Sequence, residues 1–459
     1  MSNDSLSAMN TSTNRTAPAR EIAILTALCC AVLIVQIDTS VTNLAVQPIG
    51  RYFRVPVATL QWVVDAYNLV YAALLLSGGL LADLFDRRRV FVAGAAVFAV
   101  ASGICALAPG IDTLLAGRVL AGLGAACLMP TSLALIRVLW PDAERRARVL
   151  GIWAACNGLA FAIGPVTGGL LIDAFGWRSV FVLALPFALL AAALALGTIP
   201  ESAHREGRHF DVGGQVFGAL SLGALALAGI ELQRAPILSA MALAIAAIAG
   251  TLFVRVESRH GNDAMVPLPL FRQPVFQGAM AATAIMTFGM YGAVFLLPLT
   301  WQAAGTLGPA GAGFALMPMA LVFALSSPFS GHLTRRLGLG SVIGGGLGMI
   351  GVGLLVVAGS VADGTLAASQ AGLVLAGLGM GLATGPLMGA AVGAVEPRHS
   401  GSAAALVNVA RMAGATLGVA VLGTLYAVFH PDVRGLTLAM SLGGSLQIAV
   451  ALWAWRRIP

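Results

Sequence analysis

The chain has 459 residues, 58% of them hydrophobic and only 10% charged, against about 25% charged in an ordinary soluble domain. So thin a charged skin cannot keep 46.7 kDa of globule in solution, which excludes a soluble enzyme, a nucleic-acid binder and a disordered protein; the mean hydropathy of +0.90 agrees. The apolar residues come in long unbroken runs rather than in alternation, which predicts an all-α polytopic membrane protein and not an outer-membrane barrel.

Residues 1–21 are polar, rich in Ser, Thr and Asn, and read as a cytoplasmic tail. The apolar stretch behind them is too long for a signal-peptide core and is expected to stay as the first span. A span needs about 20 mostly apolar residues. Six fit between 22 and 198, at 22–46, 57–82, 89–108, 112–137, 147–172 and 178–198. A pair follows at 212–231 and 236–256, inside a stretch 199–274 that reads as an insertion. Six more fill 275–459, at 275–301, 310–331, 341–360, 365–391, 399–428 and 435–456. The prediction is therefore two six-helix bundles plus two inserted helices.

Every basic residue other than histidine is an arginine. With fourteen spans, 19 arginines fall on the side of the N-terminus, 5 on the other, and Arg118 and Arg411 lie within spans. By the positive-inside rule both termini are cytoplasmic. The net charge of +7 is thus a topology signal spread over short loops, and no nucleic-acid partner is expected.

The chain also repeats itself. Gly79-Leu80-Leu81-Ala82-Asp83 runs into Arg87-Arg88-Arg89, and Gly331-His332-Leu333 runs into Arg335-Arg336, each reading as a charged cytoplasmic loop after the second span of its half. Parallel halves of this kind are a transporter architecture with the substrate path between them.

Several motifs carry a resemblance. The Gly79–Arg89 loop is similar to the signature loop of the major facilitator superfamily, with Leu84 and Asp86 in place of its usual Arg and Gly. Arg118-Val-Leu-Ala-Gly122-Leu-Gly124-Ala-Ala126 resembles that superfamily's fourth-span motif, with Ala121 in place of Gln. Gly164-Pro165-Val-Thr-Gly168-Gly169 resembles the antiporter motif of drug exporters. Ile37-Asp38-Thr39-Ser40-Val41-Thr42-Asn43 and Gln61-Trp62-Val63-Val64-Asp65-Ala66-Tyr67 resemble the first two spans of its fourteen-span drug:proton antiporter branch, and most of all the methylenomycin-resistance type. The resemblance implies a monomeric, proton-coupled exporter of small amphipathic drugs or antibiotics that works by alternating access without a cofactor. The alternative it leaves is a dedicated exporter of one metabolite.

Ionisable residues inside spans are costly and mark function by default. Asp38, Asp65 and Arg118 fall at one depth on three spans and are expected to form a proton-coupling cluster. Arg118 keeps its charge and can neutralise one carboxylate, leaving the other to take a proton or a cationic substrate. Arg411 has no assigned role. Trp62, Tyr67, Tyr71, Trp153, Asn157, Phe288, Met290, Tyr291 and Phe295 are candidates for a wide substrate pocket, since aromatic and Met walls suit varied apolar ligands. Asp83 with Arg87 and Arg88, next to Gly79, is expected to pair span ends in one access state. Gly164, Gly168 and Gly169 give a small-residue face and Pro165 a bend, together a candidate gate.

An intramembrane enzyme is not supported. All six histidines lie in loops or at span ends, and there is no phosphate-binding loop, zinc-protease helix or nucleophile elbow. The five cysteines sit in apolar runs without a CxxC pair, so neither a disulfide framework nor a metal site is expected.

Overall fold

A chain segment in lipid must satisfy its own backbone hydrogen bonds, and each long apolar run does so as a helix. A computed structural model describes residues 18–201, 211–232, 235–260, 266, 268–362, 366–395, 400–429 and 434–458, with no strand among them. The first half comprises α1 (Pro18–Phe53), α2 (Val57–Leu84), α3 (Arg87–Ala106), α4 (Ile111–Leu139), α5 (Ala143–Phe175) and α6 (Ser179–Thr198). The inserted pair is α7 (Val212–Ile230) and α8 (Pro236–His260). The second half comprises α9 (Pro274–Ala303), α10 (Pro309–Ser326), α11 (Ser330–Leu337), α12 (Leu339–Ala362), α13 (Leu366–Gly393), α14 (Ser400–Val428) and α15 (Arg434–Arg457). Among the described residues twelve helices, with Pro309–Leu337 taken as one, are long and apolar enough to cross a membrane. Helices α2 and α5, with 28 and 33 residues, stand beside those twelve.

Several helices outrun their apolar cores because polar residues cap them. The Asp86 carboxylate accepts from the Arg89 N–H at 2.9 Å, and Asp142 accepts from Arg145 at 2.8 Å. Each satisfies a backbone donor that the first turn would leave orphaned. The second repeat differs from its expected form. Residues 331–337 are helix rather than loop: Pro328 sits in a single 3-10 turn, Ser327–Phe329, after which α11 resumes. The turn absorbs the backbone bond that proline cannot make. Gly338, at φ 84°, then ends α11 in a conformation that side chains disfavour.

The two halves meet along two seams, α2 against α14 and α5 against α10, with α1 also touching α9. Within halves α2 and α3 pack on α4, α9 packs on α14 and α15, and α12 packs on α13 and α15. The inserted pair divides. Helix α8 leans on α7 and leaves Ile237 and Ile248 exposed, as an edge helix should. Helix α7 instead lies against both α2 and α14, across the seam. Gln215 explains one contact: it accepts from the Ser77 hydroxyl and donates to the Ala73 carbonyl of α2. Thr424 of α14 explains the other, donating to the Gly229 carbonyl at 2.8 Å.

Candidate functional site

Glycines in α4 bring it close enough to its neighbours to bury an arginine. A Cβ at Gly122 would fall 2.6 Å from the Tyr67 carbonyl oxygen of α2, and one at Gly124 would fall 2.9 Å from the Gly94 carbonyl oxygen of α3. One turn before Gly122, Arg118 is therefore pressed against α2 and is only 1% exposed. Its Nε donates to the Val63 carbonyl at 2.8 Å. One terminal nitrogen reaches both oxygens of Asp38, at 2.7 and 2.9 Å. The guanidinium carbon lies 4.6 Å from the centre of the Tyr67 ring and 5.9 Å from that of Phe181, and ring faces attract a desolvated cation. The Tyr67 hydroxyl donates to the Val35 carbonyl on the helix of Asp38 at 3.3 Å.

Two members of the expected triad thus meet, and the third stands apart. Asp65 is fully buried on α2, and neither of its carboxyl oxygens has a hydrogen-bond partner. Val63 and Tyr67 face Arg118, and Asp65, two residues from each, is carried roughly 200° around the helix. It shares a face with Gln61 and Asn68, at i−4 and i+3. Gln61 fixes where that face points, because its amide donates to the Val419 and Ala420 carbonyls of α14, both at 2.9 Å. The side-chain oxygen and nitrogen of Asn68 are likewise buried without partners, as is the Thr416 hydroxyl on α14. The α2–α14 seam therefore holds a buried polar stripe separate from the ion pair.

Next to Asp38 lies a small cavity lined by Thr39, Ser40 and Asn43 of α1, Phe161 of α5, Met290, Tyr291 and Val294 of α9, and Met380 of α13. One wall is hydroxyl and amide, the others aromatic and thioether, and both halves contribute. Of the expected pocket residues, Met290 and Tyr291 line it. Tyr67 belongs to the ion pair instead, and Tyr71, also buried, packs against Tyr67 with ring centres 6.0 Å apart and the rings tilted by 44°. Phe295 is fully buried core, and the Phe288 backbone is where α14 packs at Gly418. Trp62 is half-buried on α2. Trp153 donates to Ser132 at 3.2 Å within the first half. The Asn157 side chain lies outside the described residues. Thr39, Ser40 and Asn43 were unassigned by sequence, although three polar residues within five positions of an apolar helix are a visible signal. Phe161 and Met380 carry no such signal.

At the end of the bundle bearing the α1–α2 connection, polar bonds join the halves. Arg51 donates to the Gln302 carbonyl at 2.6 Å, the Gln302 amide donates to the Leu44 carbonyl at 3.1 Å, and Asp173 accepts from the Ala310 N–H at 3.1 Å. The antiporter-motif glycines serve this closure. Gly164 and Gly168 receive Ser40 and Val41 of α1, and a Cβ at Gly169 would sit 2.5 Å from the Pro309 carbonyl oxygen of α10. Gly313 of α10 in turn lies under the Pro165 carbonyl.

At the opposite end Arg87 is buried, and Arg88 donates to the Ile199 carbonyl beyond α6 at 3.3 Å. The Asp83 side chain lies outside the described residues. Gly79 makes only ordinary contact with Pro130, at 3.6 Å; its neighbour Gly78 is the close approach, under the Ala126 carbonyl of α4.

Two helical halves around a shared cavity, with a buried ion pair beside it and a seal at one end, define a membrane transporter. The model of the Major Facilitator Superfamily matches residues 28–419, and the chain belongs to that family. It is 36% identical over 396 residues to the multidrug resistance protein Stp of Mycobacterium tuberculosis, covering 86% of this chain and 73% of that one. It is 31% identical to the methylenomycin A resistance protein of Streptomyces coelicolor (95% and 92% covered) and 33% identical to the multidrug efflux pump LfrA of Mycolicibacterium smegmatis (96% and 90% covered). The fold is similar to a bacterial homologue of the human lysosomal transporter Spinster, solved in an inward-facing and occupied conformation, with a TM-score of 0.70, 17% identity, and 96% and 98% of the two chains covered.

Proposed function

We propose that this protein is a proton-coupled exporter of small amphipathic drugs or antibiotics. It is monomeric and belongs to the fourteen-span branch, with α2 and α5 completing the count and both termini in the bacterial cytoplasm. The observation that carries the reading is the adjacency of Asp38 and Thr39. Asp38 holds the buried Arg118, and the next residue lines the cavity shared by the halves. A proton on Asp38 weakens its grip on Arg118, and the strain is delivered to the helix that forms the cavity wall. Relatives named for multidrug and methylenomycin A resistance support the substrate class.

On this reading the sealed end is the outer one and the state is inward-facing. Export follows when the Gly164–Gly169 face releases α10 and the Gly79–Arg88 end closes instead. Asp65 is a second protonation site, on the α2–α14 seam. The test uses everted vesicles acidified by respiration and loaded with a pH-sensitive dye. Adding a substrate should release protons from vesicles holding the wild type and not from those holding Asp38→Asn. Full proton release in Asp38→Asn would overturn the coupling role. A resistance profile in an efflux-deficient host separates a broad exporter from one dedicated to a single metabolite.

A further inference from the structure

We propose that Arg411 is an anion-recognising side chain of the transport cavity, and that the compounds this chain prefers are amphipathic acids rather than lipophilic cations. The assignment rests on the exporter reading for its transport consequence, whereas binding is measurable without it.

Arg411 lies 11 residues into α14, roughly 16 Å from that helix end and so near the middle of a bilayer. Its direction follows from its neighbours. Gly414 and Gly418 pack against the backbone of α9 at Ala284 and Phe288. Val419 and Ala420 receive Gln61 of α2, while Ala413, Thr416 and Leu417 face Leu69 and Ala72 of α2 and Leu222 of α7. The wedge between the α9 face and the α2 face holds Asn408 and Arg411, one turn apart. Asn408 accepts a hydrogen bond from the guanidinium. The charge lies within electrostatic range of Tyr71 on α2 and Tyr291 on α9, and Tyr291 lines the cavity. Arg411 is only half-buried, beside the Tyr291 wall of that cavity.

Among the described residues no carboxylate answers it. The second half contains three acidic residues, Asp363, Glu396 and Asp432, and all three fall outside the described residues. In the first half Asp38 is already engaged by Arg118, and the Asp65 oxygens contact no donor. Among the described residues Arg411 has no ion-pair partner. A guanidinium held at membrane depth without a counter-charge is expensive. A ligand carboxylate, sulfonate or phenolate would supply the missing charge through the planar donor fork. The Tyr291 hydroxyl on the cavity wall is a further donor, while Met290 and Phe161 take the apolar body. A cationic ligand would meet repulsion at the same place.

The test measures binding of two xanthene dyes to the purified full-length protein in detergent at neutral pH, by fluorescence anisotropy. Fluorescein is the anionic probe and tetramethylrhodamine methyl ester the cationic one. The wild type should bind fluorescein about tenfold more tightly than the cation. Arg411→Gln should lose about that factor for fluorescein and leave the cation unchanged or better bound, and Arg411→Lys should recover most of it. The wild-type preference needs no variant to fold. Tighter binding of the cation, binding of neither dye, or equal losses of both dyes in Arg411→Gln would overturn the proposal. Dye preference without proton exchange in the vesicle assay would leave this assignment standing and remove the exporter reading; proton exchange with the opposite preference would do the reverse.

Discussion

Arg118 spans two helices at once: its terminal nitrogen holds both oxygens of Asp38 on α1 while its Nε holds the Val63 carbonyl on α2. The guanidinium is therefore a strut as well as a counter-charge. Removing one partner of a buried pair leaves the other uncompensated and costs about 3–5 kcal/mol, whereas replacing both with apolar residues of similar size is often neutral. Asp38→Asn and Arg118→Ala should each lower the thermal midpoint of the solubilised protein and abolish proton-coupled transport. The double variant Asp38→Leu/Arg118→Met should recover the midpoint without recovering transport. Recovery of both would reduce the pair to a structural role.

The α5–α10 contact yields a second prediction. Gly313 lies directly beneath the Pro165 carbonyl, so Gly313→Val cannot keep the present approach of the two helices. Overpacking of this kind costs about 1–3 kcal/mol, and it falls only on states in which this end is closed. Gly313→Val should be produced in folded form, lose transport, and leave this end open. Thiol labelling of a single cysteine in place of Leu44, which is fully buried beside Gly313, in a background without the five native cysteines, would report the opening as faster modification. Unchanged labelling with normal transport would show that the contact is not part of the gate.

Helix α7 is tethered to one half through Gln215 and to the other through Thr424. Truncating a buried side chain that satisfies a partner costs about 1–3 kcal/mol, since the partner is left desolvated. Gln215→Ala and Thr424→Val should each lower the thermal midpoint. Substitutions of exposed apolar residues on α8, such as Ile248→Leu, should not. If α7 is a passive edge helix, the two groups will behave alike.

What the sequence could convey has a physical limit visible in these residues. Charge is so scarce that Asp38 and Arg118 stand out, and rise per residue places them at one depth. Depth says nothing of direction, and Asp65, level with them, faces a different helix because two residues turn an α-helix by roughly 200°. The apolar runs mark the spans, but an apolar helix looks the same against lipid as against protein, so the seat of α7 between the halves was hidden. The continuation of the chain as α11 depended on how one turn absorbs Pro328. Cavity residues such as Phe161 and Met380 have nothing local to distinguish them from packing.

Asp65 permits a prediction in which stability and activity move in opposite directions. Its carboxyl is fully buried and makes no hydrogen bond. Burying such a group without compensation costs about 1–3 kcal/mol on the scale of protein substitutions. A leucine of similar size in the same place removes that cost and packs against the apolar parts of α14. Asp65→Leu should therefore raise the thermal midpoint of the purified protein. If the carboxyl is retained for proton transfer, the same variant should release fewer protons per substrate in the everted-vesicle assay. Asp65→Asn should show the same proton deficit with little gain in stability, because the amide is still a buried polar group. Greater stability with undiminished proton release would assign Asp65 no part in coupling and leave Asp38 as the site that carries it.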